Sequence, residues 1–207
     1  MKTVVVLHSG GMDSTVCALM AKQQGHNVVS LGFDYGQRLR IELEYAARIC
    51  SAHGIERRVI KFEWRKPARE IPLDRGVEEM GRSVSPAFLP ARNVIFLTLG
   101  VAEAVGTDAS EVWIGINAIE FSGYPDCTPV FLEKYREMAA VAIPGGPSIE
   151  APLLNLSKPD IARLAKSYGI GKDDTWSCYR PETTDAGLVP CGRCDACRLH
   201  EFAWKDV

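Results

Sequence analysis

The 207-residue sequence has no long hydrophobic run. No apolar stretch reaches the roughly 18–20 residues that a membrane-spanning helix needs, and the apolar run at residues 3–7 is too short for the core of a signal peptide. We therefore expect a cytoplasmic protein with no membrane partner. The length suits one α/β domain with a sizeable core and is too short for two large domains.

The sequence also has no excess of charge of one sign. Its 24 Lys and Arg residues nearly balance 26 Asp and Glu residues, which gives a formal net charge of −2. A nucleic-acid partner usually requires a basic excess, so a small-molecule partner is expected and nucleic acid is not. The seven cysteines are too few for a disulfide scaffold, and three of them are clustered near one end, which favours a metal site.

What is present is an alternation of strand-like and helix-like segments. The predicted strands are residues 3–7, 28–33, 59–62, 111–116 and 149–154, and the predicted helices are residues 14–24, 37–53, 93–105, 130–142 and 157–168. This order predicts an α/β fold, a Rossmann-like parallel sheet with helices on both faces. Ligands bind such sheets at the carboxyl ends of the strands. Residues 63–90 lack a clean period and are expected to form a long functional loop.

The periodicity fades after Gly171. We therefore expect residues 1–171 to form the nucleotide-binding domain and residues 172–207 to form a small C-terminal segment of the same domain. That segment contains a cysteine cluster: Cys191, Cys194 and Cys197 are spaced C-x2-C-x2-C, and Cys178 lies upstream. Four thiolates suit tetrahedral zinc with a closed, structural shell. An iron–sulfur cluster is the alternative that four cysteines leave open.

A glycine-rich loop, residues 8–15 (HSGGMDST), connects the first predicted strand to the first helix. Two glycines let backbone N–H groups turn toward an anion, and the helix N-terminus adds partial positive charge. Asp13 is unusual beside an anion unless it caps the helix or binds Mg²⁺ carried with a nucleotide. The loop is neither a Walker loop nor a GxGxxG fingerprint. Its simpler interpretation is a turn that needs glycine.

The loop resembles the PP-loop of the ATP pyrophosphatases, and the whole chain resembles the 7-cyano-7-deazaguanine synthase branch of that superfamily, which acts in queuosine precursor biosynthesis. The strings that carry the resemblance are residues 9–15 (SGGMDST), 33–38 (FDYGQR), 89–93 (LPARN), 95–97 (IFL), 115–117 (GIN), 122–127 (SGYPDC), 151–153 (APL), 157–158 (SK) and 177–179 (SCY), with the cysteine cluster. They extend almost from end to end. The string at residues 122–127 and the four cysteines are the most specific.

The resemblance implies a PP-loop fold and an ATP-dependent ligase. ATP would convert the carboxylate of 7-carboxy-7-deazaguanine to an acyl adenylate, ammonia would give the amide, and a second activation would give the nitrile. The implied cofactors are ATP, Mg²⁺ and Zn²⁺, and the implied assembly is a homodimer. Ammonia would arrive free or from a separate partner protein.

The resemblance also implies roles for the nucleotide-binding residues. Pyrophosphate binding involves the glycine loop and its preceding residue, namely Leu7, His8, Ser9, Gly10, Gly11, Met12, Asp13, Ser14 and Thr15. Tyr35, Gln37 and Arg38 follow the second strand, where adenine and ribose would bind. Lys158 and Arg92, with Asp13, are the candidate catalytic residues, because both cations could neutralise phosphate charge in the transition state. The simpler interpretation of each cation is a solvated surface residue.

Four residues are candidates for binding the deazaguanine: Asn117, Phe121, Tyr124 and Asp126. An aromatic ring would stack on the base, and Asp126 would accept hydrogen bonds from its N–H edge. A plain turn is the simpler interpretation of residues 124–126.

Other functions fit parts of the pattern. A divergent relative would stop at the amide or use another carboxylated base, and the chain has Leu39 and Ala91 where the family usually has His and Gly. A PP-loop enzyme that thiolates tRNA would be expected to have an RNA-binding domain or a basic face. A binding module without enzymatic activity would not need the pyrophosphate loop.

Overall fold

Five short segments form a parallel sheet at the centre of the computed structural model, which describes residues 1–37, 40–64, 70–81, 83–118, 123–185 and 187–207. The strands are β1 (Thr3–Leu7), β2 (Asn27–Asp34), β3 (Glu56–Lys61), β4 (Glu111–Ile114) and β5 (Ser148–Glu150). Their order is β3-β2-β1-β4-β5, and every neighbouring pair is parallel. The predicted α/β fold with a parallel sheet is confirmed.

Within the described residues, six α-helices accompany the sheet. They are α1 (Met12–Gln23), α2 (Ile41–His53), α3 (Arg92–Gly106), α4 (Pro129–Ala142), α5 (Lys158–Ser167) and α6 (Asp195–Trp204). None of these helices has the length and apolar character needed to cross a membrane.

The central strand β1 separates two hydrophobic cores. Val4 and Val6 point to the core formed with α1 and α5, whereas Val5 and Leu7 point to the core formed with α3 and α4. Successive side chains of a strand point to opposite faces, and a strand that is covered on both faces is therefore apolar at every position. This explains the continuous apolar run at residues 3–7.

Two strands are shorter than predicted at their carboxyl ends. β4 ends at Ile114 rather than 116, and β5 ends at Glu150 rather than 154. Beyond these points the segments that follow β4 and β5 hydrogen-bond to each other outside the sheet: the N–H of Ala118 donates to the C=O of Leu154 at 2.9 Å. The residues after β4 are thereby free to line a cavity at the edge of the sheet.

The C-terminal segment contains structure that the sequence periodicity did not predict. A small hairpin pairs β6 (Glu182–Thr184) with β7 (Gly187–Val189), and α6 follows the last cysteines. Ala203 of α6 is fully buried in the same core as Ile161 and Ala165 of α5. The helix was missed because it is short and because Cys197, a predicted metal ligand, occupies one of its few buried positions.

Candidate active site

A cavity of about 320 Å³ opens at the carboxyl ends of β1, β2 and β4, a volume in the range of ligand-binding pockets. We call it the central cavity. The predicted site residues that line it are Leu7, His8, Ser9, Gly11, Met12, Asp13, Ser14, Tyr35, Arg92, Asn117, Tyr124 and Lys158. Those that do not line it are Gly10, Thr15, Gln37 and Asp126. Arg38 and Phe121 lie outside the described residues.

Hydrogen bonds among its own residues hold the glycine loop in shape. The Oγ of Ser14 accepts the N–H of Ser9 at 3.2 Å and donates to the C=O of Gly11 at 3.1 Å. Gly11 is the N-cap of α1, and no side chain of the described residues caps this helix. The first N–H groups of α1 therefore remain available for an anion.

Gly10 is required by packing as well as by the loop. Its φ is +101°, and a Cβ at this position would lie 2.0 Å from the backbone oxygen of Glu42. The C=O of Gly10 also accepts the N–H of Trp176 at 3.0 Å. Only glycine fits this close approach, so the simpler interpretation of the loop holds for Gly10 and does not exclude the phosphate-binding one.

His8 and Thr15 support the loop from inside the protein. The imidazole of His8 contacts the Oγ of Ser30 at 2.9 Å through Nδ1 and the Oγ1 of Thr15 at 3.1 Å through Nε2. Burial, followed by the nearby Arg57, lowers the pKa of His8 to about 3. The ring is therefore neutral at physiological pH, and the Thr15 hydroxyl is directed toward it rather than toward the cavity.

An ion pair lies next to the N-terminus of α1. Lys158 is the first residue of α5, whose N-cap Ser157 accepts a hydrogen bond from the N–H of Asp160. The Lys158 Nζ lies 2.5 Å from the Oδ2 of Asp13. Both side chains are mostly buried, at 17% and 22% exposed. The structure thus brings together a cation and a carboxylate that are 145 positions apart in sequence.

Arg92 places a second cation in the central cavity. It begins α3, where a positive charge opposes the helix dipole, and within the described part of the chain its guanidinium has no carboxylate partner. Burial acts to lower the pKa of Arg92, but the surrounding Tyr179, Tyr35 and Tyr124 raise it above the usual value. A half-buried guanidinium in this setting suits an anionic ligand.

Asn117 presents a hydrogen-bond acceptor with a fixed orientation. Its Nδ2 donates to the backbone oxygens of Leu153, at 3.3 Å, and Leu156. Its Oδ1 is buried and has no partner among the described residues. Reversing the amide would place Oδ1 against two carbonyl oxygens. The hydrogen bonds therefore determine which of the two side-chain atoms is the nitrogen and which is the oxygen. Asn117 is only 6% exposed, and such a buried acceptor requires a donor.

An aromatic wall closes the cavity beside β2. Tyr35 packs against Phe96 and Trp64 at ring-centroid distances of 5.4 and 5.9 Å. Gln37 shapes this wall from behind: its Oε1 accepts the N–H of Tyr35, and its Nε2 donates to the C=O of Phe33, both at 2.9 Å. Gln37 therefore positions Tyr35 in the structure, although it was predicted to contact nucleotide.

Asp126 caps a helix instead of lining the cavity. Its Oδ2 accepts the backbone N–H of Asn93 in the first turn of α3 at 3.3 Å, and Asn93 Nδ2 donates to the Asp126 C=O at 3.0 Å. The N-cap of α3 is Ala91, which has no capping side chain, so the distant carboxylate satisfies this helix end. Its contact with the base remains a prediction.

The four cysteines predicted as metal ligands converge. Their sulfur atoms all lie within 4.8 Å of one another, with 3.5 Å between Cys194 and Cys197 and 3.6 Å between Cys178 and Cys191. Zn–S bonds of about 2.3 Å in a tetrahedron place sulfurs about 3.8 Å apart. The sulfurs therefore fit one zinc ion, whereas an iron–sulfur cluster would need them farther apart.

Backbone donors around these sulfurs favour the thiolate form. The N–H groups of Arg180 and Cys191 both point at the Cys178 sulfur at 3.3 Å, and the N–H of Cys194 points at the Cys191 sulfur at 3.4 Å. Cys197 lies in the first turn of α6, where the helix dipole stabilises negative charge.

Comparison with known proteins identifies the family of this chain. A family model described as "Queuosine biosynthesis protein QueC" matches residues 3–207. The chain belongs to the QueC family. The QueC-family chain is 57% identical over 206 residues to "7-cyano-7-deazaguanine synthase 2" of Rhodopseudomonas palustris, across all of this chain and 98% of the relative. It is 43% identical over 217 residues to "7-cyano-7-deazaguanine synthase 1" of Sphingopyxis alaskensis, across 100% and 95% of the two chains.

Solved structures support the fold of this QueC-family chain. A 4-thiouridine synthetase in complex with RNA and ATP matches with a TM-score of 0.53 and 19% identity, over 81% of this chain and 41% of the other. The U34-tRNA thiolase NcsA from Methanococcus maripaludis matches with a TM-score of 0.52 and 14% identity, over 82% and 58%. At these identities the likeness concerns the fold alone.

Several residues that line the central cavity had no predicted role. They are Glu42, Ser85, Asn93, Trp176, Ser177, Tyr179, Asp195 and His200 among others. Ser177 and Tyr179 lie in a string that carried the family resemblance, and Asp195 lies between two metal-ligand candidates. The sequence around these three residues therefore indicated that they could belong to a functional site. Ser85 lies in the aperiodic loop and gave none.

Proposed function

We propose that this QueC-family protein is an ATP-dependent carbon–nitrogen ligase that converts 7-carboxy-7-deazaguanine and ammonia into 7-cyano-7-deazaguanine. The names of its relatives support the product. The observation that carries the proposal is that one cavity holds the glycine loop, the Lys158–Asp13 pair and Arg92 beside an aromatic wall. This set suits the activation of a carboxylate by a nucleoside triphosphate.

The proposed reaction activates the substrate twice. First, the carboxylate attacks the α-phosphorus of ATP, pyrophosphate leaves, and an acyl adenylate forms. Ammonia attacks the acyl carbon, AMP leaves, and loss of a proton gives the amide. In the second round the amide oxygen is adenylated with release of pyrophosphate, and loss of AMP and of both protons from the nitrogen gives the nitrile. Both rounds convert a poor electrophile into a good one.

The residues of the glycine loop would hold the pyrophosphate portion of ATP. Ser9 and the first residues of α1 line the cavity, and the helix dipole favours the phosphate charge. Lys158 lies beside this position and would stabilise the negative charge that develops on the leaving pyrophosphate. Asp13 would hold Mg²⁺, which when bound neutralises phosphate charge.

The part of the cavity lined by Asn117, Tyr124 and Arg92 would hold the deazaguanine. Asn117 has a buried acceptor that needs an N–H donor, and the base offers several. Tyr124 provides an aromatic face. Arg92 would attract the substrate carboxylate to the α-phosphate. Each part of the substrate thus meets a group of complementary chemistry.

Zinc would have a structural role in this enzyme. Four cysteine sulfurs complete a tetrahedral shell and leave no open position for substrate. The C-terminal segment, residues 172–207, would depend on the ion for its fold. Free thiolates and a bound zinc ion suit the reducing cytoplasm.

The proposed assembly is a homodimer that uses free ammonia or ammonia from a partner. Exposed apolar side chains on α4 support a dimer: Val130, Met138 and Val141 are 64%, 48% and 83% exposed. Sedimentation at micromolar concentration tests this part of the proposal, which fails if the protein is monomeric.

The decisive test of function is direct turnover. Purified protein is incubated with ATP, Mg²⁺, ammonium and 7-carboxy-7-deazaguanine, and the products are identified by mass spectrometry. We expect the nitrile, with two AMP formed per nitrile. AMP with amide as the final product would contradict the second round only. Absence of both AMP and product from zinc-loaded protein would refute the assignment of the substrate.

A further inference from the structure

The long loop between β3 and α3 meets the cysteine segment at two bridges. At the outer bridge the backbones of Leu73 and Cys194 pair in an antiparallel arrangement. The carboxylate of Asp74 accepts hydrogen bonds from the Arg193 Nε at 3.0 and 3.2 Å. Both of these side chains are about half exposed, at 48% and 55%. Solvent therefore weakens their attraction.

The inner bridge joins the same two segments inside the protein. The Oδ1 of Asp195 accepts from the Arg75 Nε at 3.1 Å, and its Oδ2 accepts from the Arg75 Nη2 and from the Ser85 Oγ, the latter at 3.2 Å. Asp195 and Ser85 are 6% and 7% exposed, and both line the central cavity. Ser85 in turn accepts the N–H of Ala87 at 3.3 Å. The bridge thereby fixes a stretch of the cavity wall, residues 83–89.

The inner bridge begins at the metal-binding cysteines. Asp195 follows Cys194 directly, and both Asp195 and Cys197 belong to the first turn of α6. An ion that holds the Cys194 and Cys197 sulfurs fixes the start of this helix, and with it the position of the Asp195 carboxylate. Cys194 is also the residue whose backbone pairs with Leu73.

The wall that Asp195 fixes belongs to the tyrosine side of the cavity. Phe88 packs on the Tyr124 ring at a centroid distance of 5.2 Å, and a Cβ on the neighbouring Gly123 would lie 2.8 Å from the Ser83 backbone oxygen. The glycine loop, by contrast, is held by its own hydrogen bonds and by α1. A shift of residues 83–89 would therefore disturb the side assigned to the base before the side assigned to pyrophosphate.

We propose that Asp195 is a positioning residue that couples metal binding at the four cysteines to the wall of the central cavity, and thereby to affinity for the small base. The identity of that base rests on the proposed function. The coupling itself rests on the inner bridge. Zinc would thus have a second effect beyond folding its own segment: it would hold the carboxylate that anchors Arg75 and Ser85.

Two matched substitutions test the coupling. Asp195→Asn keeps the size of the side chain and removes the charge that pairs with Arg75. Asp74→Asn makes the same change at the outer bridge, and asparagine tolerates the positive φ of 59° found at that position. For each protein we would measure zinc content, amide hydrogen exchange in peptides that cover residues 83–89, and KM for the base and for ATP. Peptides from β1 serve as the internal reference.

We expect Asp195→Asn to retain its zinc and to exchange the amides of residues 83–89 roughly tenfold faster. Its KM for the base should rise by about ten- to a hundredfold, as small displacements of positioning groups typically cause, whereas its KM for ATP stays within about twofold. Asp74→Asn should match the wild type in every measurement. Removal of zinc from the wild type by a chelator should accelerate exchange at residues 83–89 at least as much as Asp195→Asn does, and the added acceleration should be smaller in that variant.

Three results would overturn the proposal: unchanged exchange at residues 83–89 in Asp195→Asn, loss of zinc from that variant, or equal increases in both KM values. Acceleration by the chelator that is as large in the variant as in the wild type would also refute it, because Asp195 would then not transmit the effect. Zinc content and hydrogen exchange do not involve the base. A failure of the proposed function would therefore appear as absent turnover in the wild type, while these two measurements still decide on the coupling.

Discussion

The glycine loop and the cysteine segment both contribute to the central cavity, but they are held in place by different means. The loop lies between β1, whose central residues are fully buried, and α1, which is buried along most of its length. The cysteine segment has a small cluster of its own, centred on Trp176 and the four cysteines. Hydrophobic burial positions the first region, whereas the second lacks enough apolar surface and needs an ion.

The cavity therefore has a rigid part, the glycine loop that is expected to bind phosphate, and a part whose position depends on metal binding, the wall held by the cysteine segment. A loop fixed by the core keeps its N–H groups aligned without rearrangement, which electrostatic stabilisation requires. A wall fixed by a metal-dependent segment can change with metal content. Substitutions in the two regions should therefore differ in kind, and the predictions below test that difference from the largest expected effect to the smallest.

Substitution of a metal ligand should cause the largest change. We expect Cys197→Ser to lose zinc and to open the segment at residues 175–185 and 187–207, because metal binding contributes on the order of 10 kcal/mol to the folding of such segments. Hydrogen exchange should increase there while β1 and β2 stay protected. Cys50→Ala, which removes a buried cysteine outside the cluster, should retain zinc. If Cys197→Ser keeps its zinc and its protection, the two regions do not differ in the way described.

Substitution of Lys158 should reverse that pattern, with a large effect on catalysis and a small one on the fold. Lys158→Met removes the cation beside the α1 N-terminus, and loss of one such group typically lowers kcat by about 10²–10³. The melting temperature should change little, since the first turn of α5 retains its Ser157 cap. Lys166→Met, at the exposed end of the same helix, is the control and should keep full activity. A kcat near that of the wild type in Lys158→Met would exclude it from the phosphate site.

The sequence was sufficient for the parts of the molecule that depend on local pattern. The buried run at residues 3–7, the glycine loop and the cysteine spacing each combine a period with a specific residue type, and all three are found as predicted. The capping contact of Asp126 was not predicted, because a turn gives no sign of which distant N–H its carboxylate will meet. Asp195 and Ser85 were missed because their bridge joins segments 110 positions apart, and no local pattern encodes such a contact.

A pH titration tests the buried side of the glycine loop. His8 has a pKa of about 3 in the folded protein, against 6.5 for the free side chain, and Arg57 and Cys50 are the ionisable groups beside it. The depressed pKa means that the contribution of His8 to stability is complete above pH 6.5 and is lost as the pH falls toward 3. Between pH 7 and pH 5 the loss amounts to about 2 kcal/mol.

The measurement is the free energy of unfolding by urea across this range. The wild type should lose about 2 kcal/mol more than His8→Asn between pH 7 and pH 5, whatever the difference between them at neutral pH. Identical slopes for the wild type and His8→Asn would show that the imidazole is not held neutral in the core.

The smallest expected effect concerns strain at the edge of the cavity. Ala91 has a φ of +65° immediately before Arg92, and a left-handed conformation costs a residue with a Cβ about 1–2 kcal/mol. Ala91→Gly should therefore raise the free energy of unfolding by about 0.5–1 kcal/mol, since the relief exceeds the added flexibility of the unfolded chain. Ala102→Gly, at an exposed position inside α3, should lower it by about 1 kcal/mol. The same Ala→Gly substitution is thus expected to raise the free energy of unfolding at the N-cap of α3 and to lower it inside that helix. A loss of stability at both would mean that the backbone at Ala91 is not strained, and that the position of Arg92 is set by Asp126 and the helix alone.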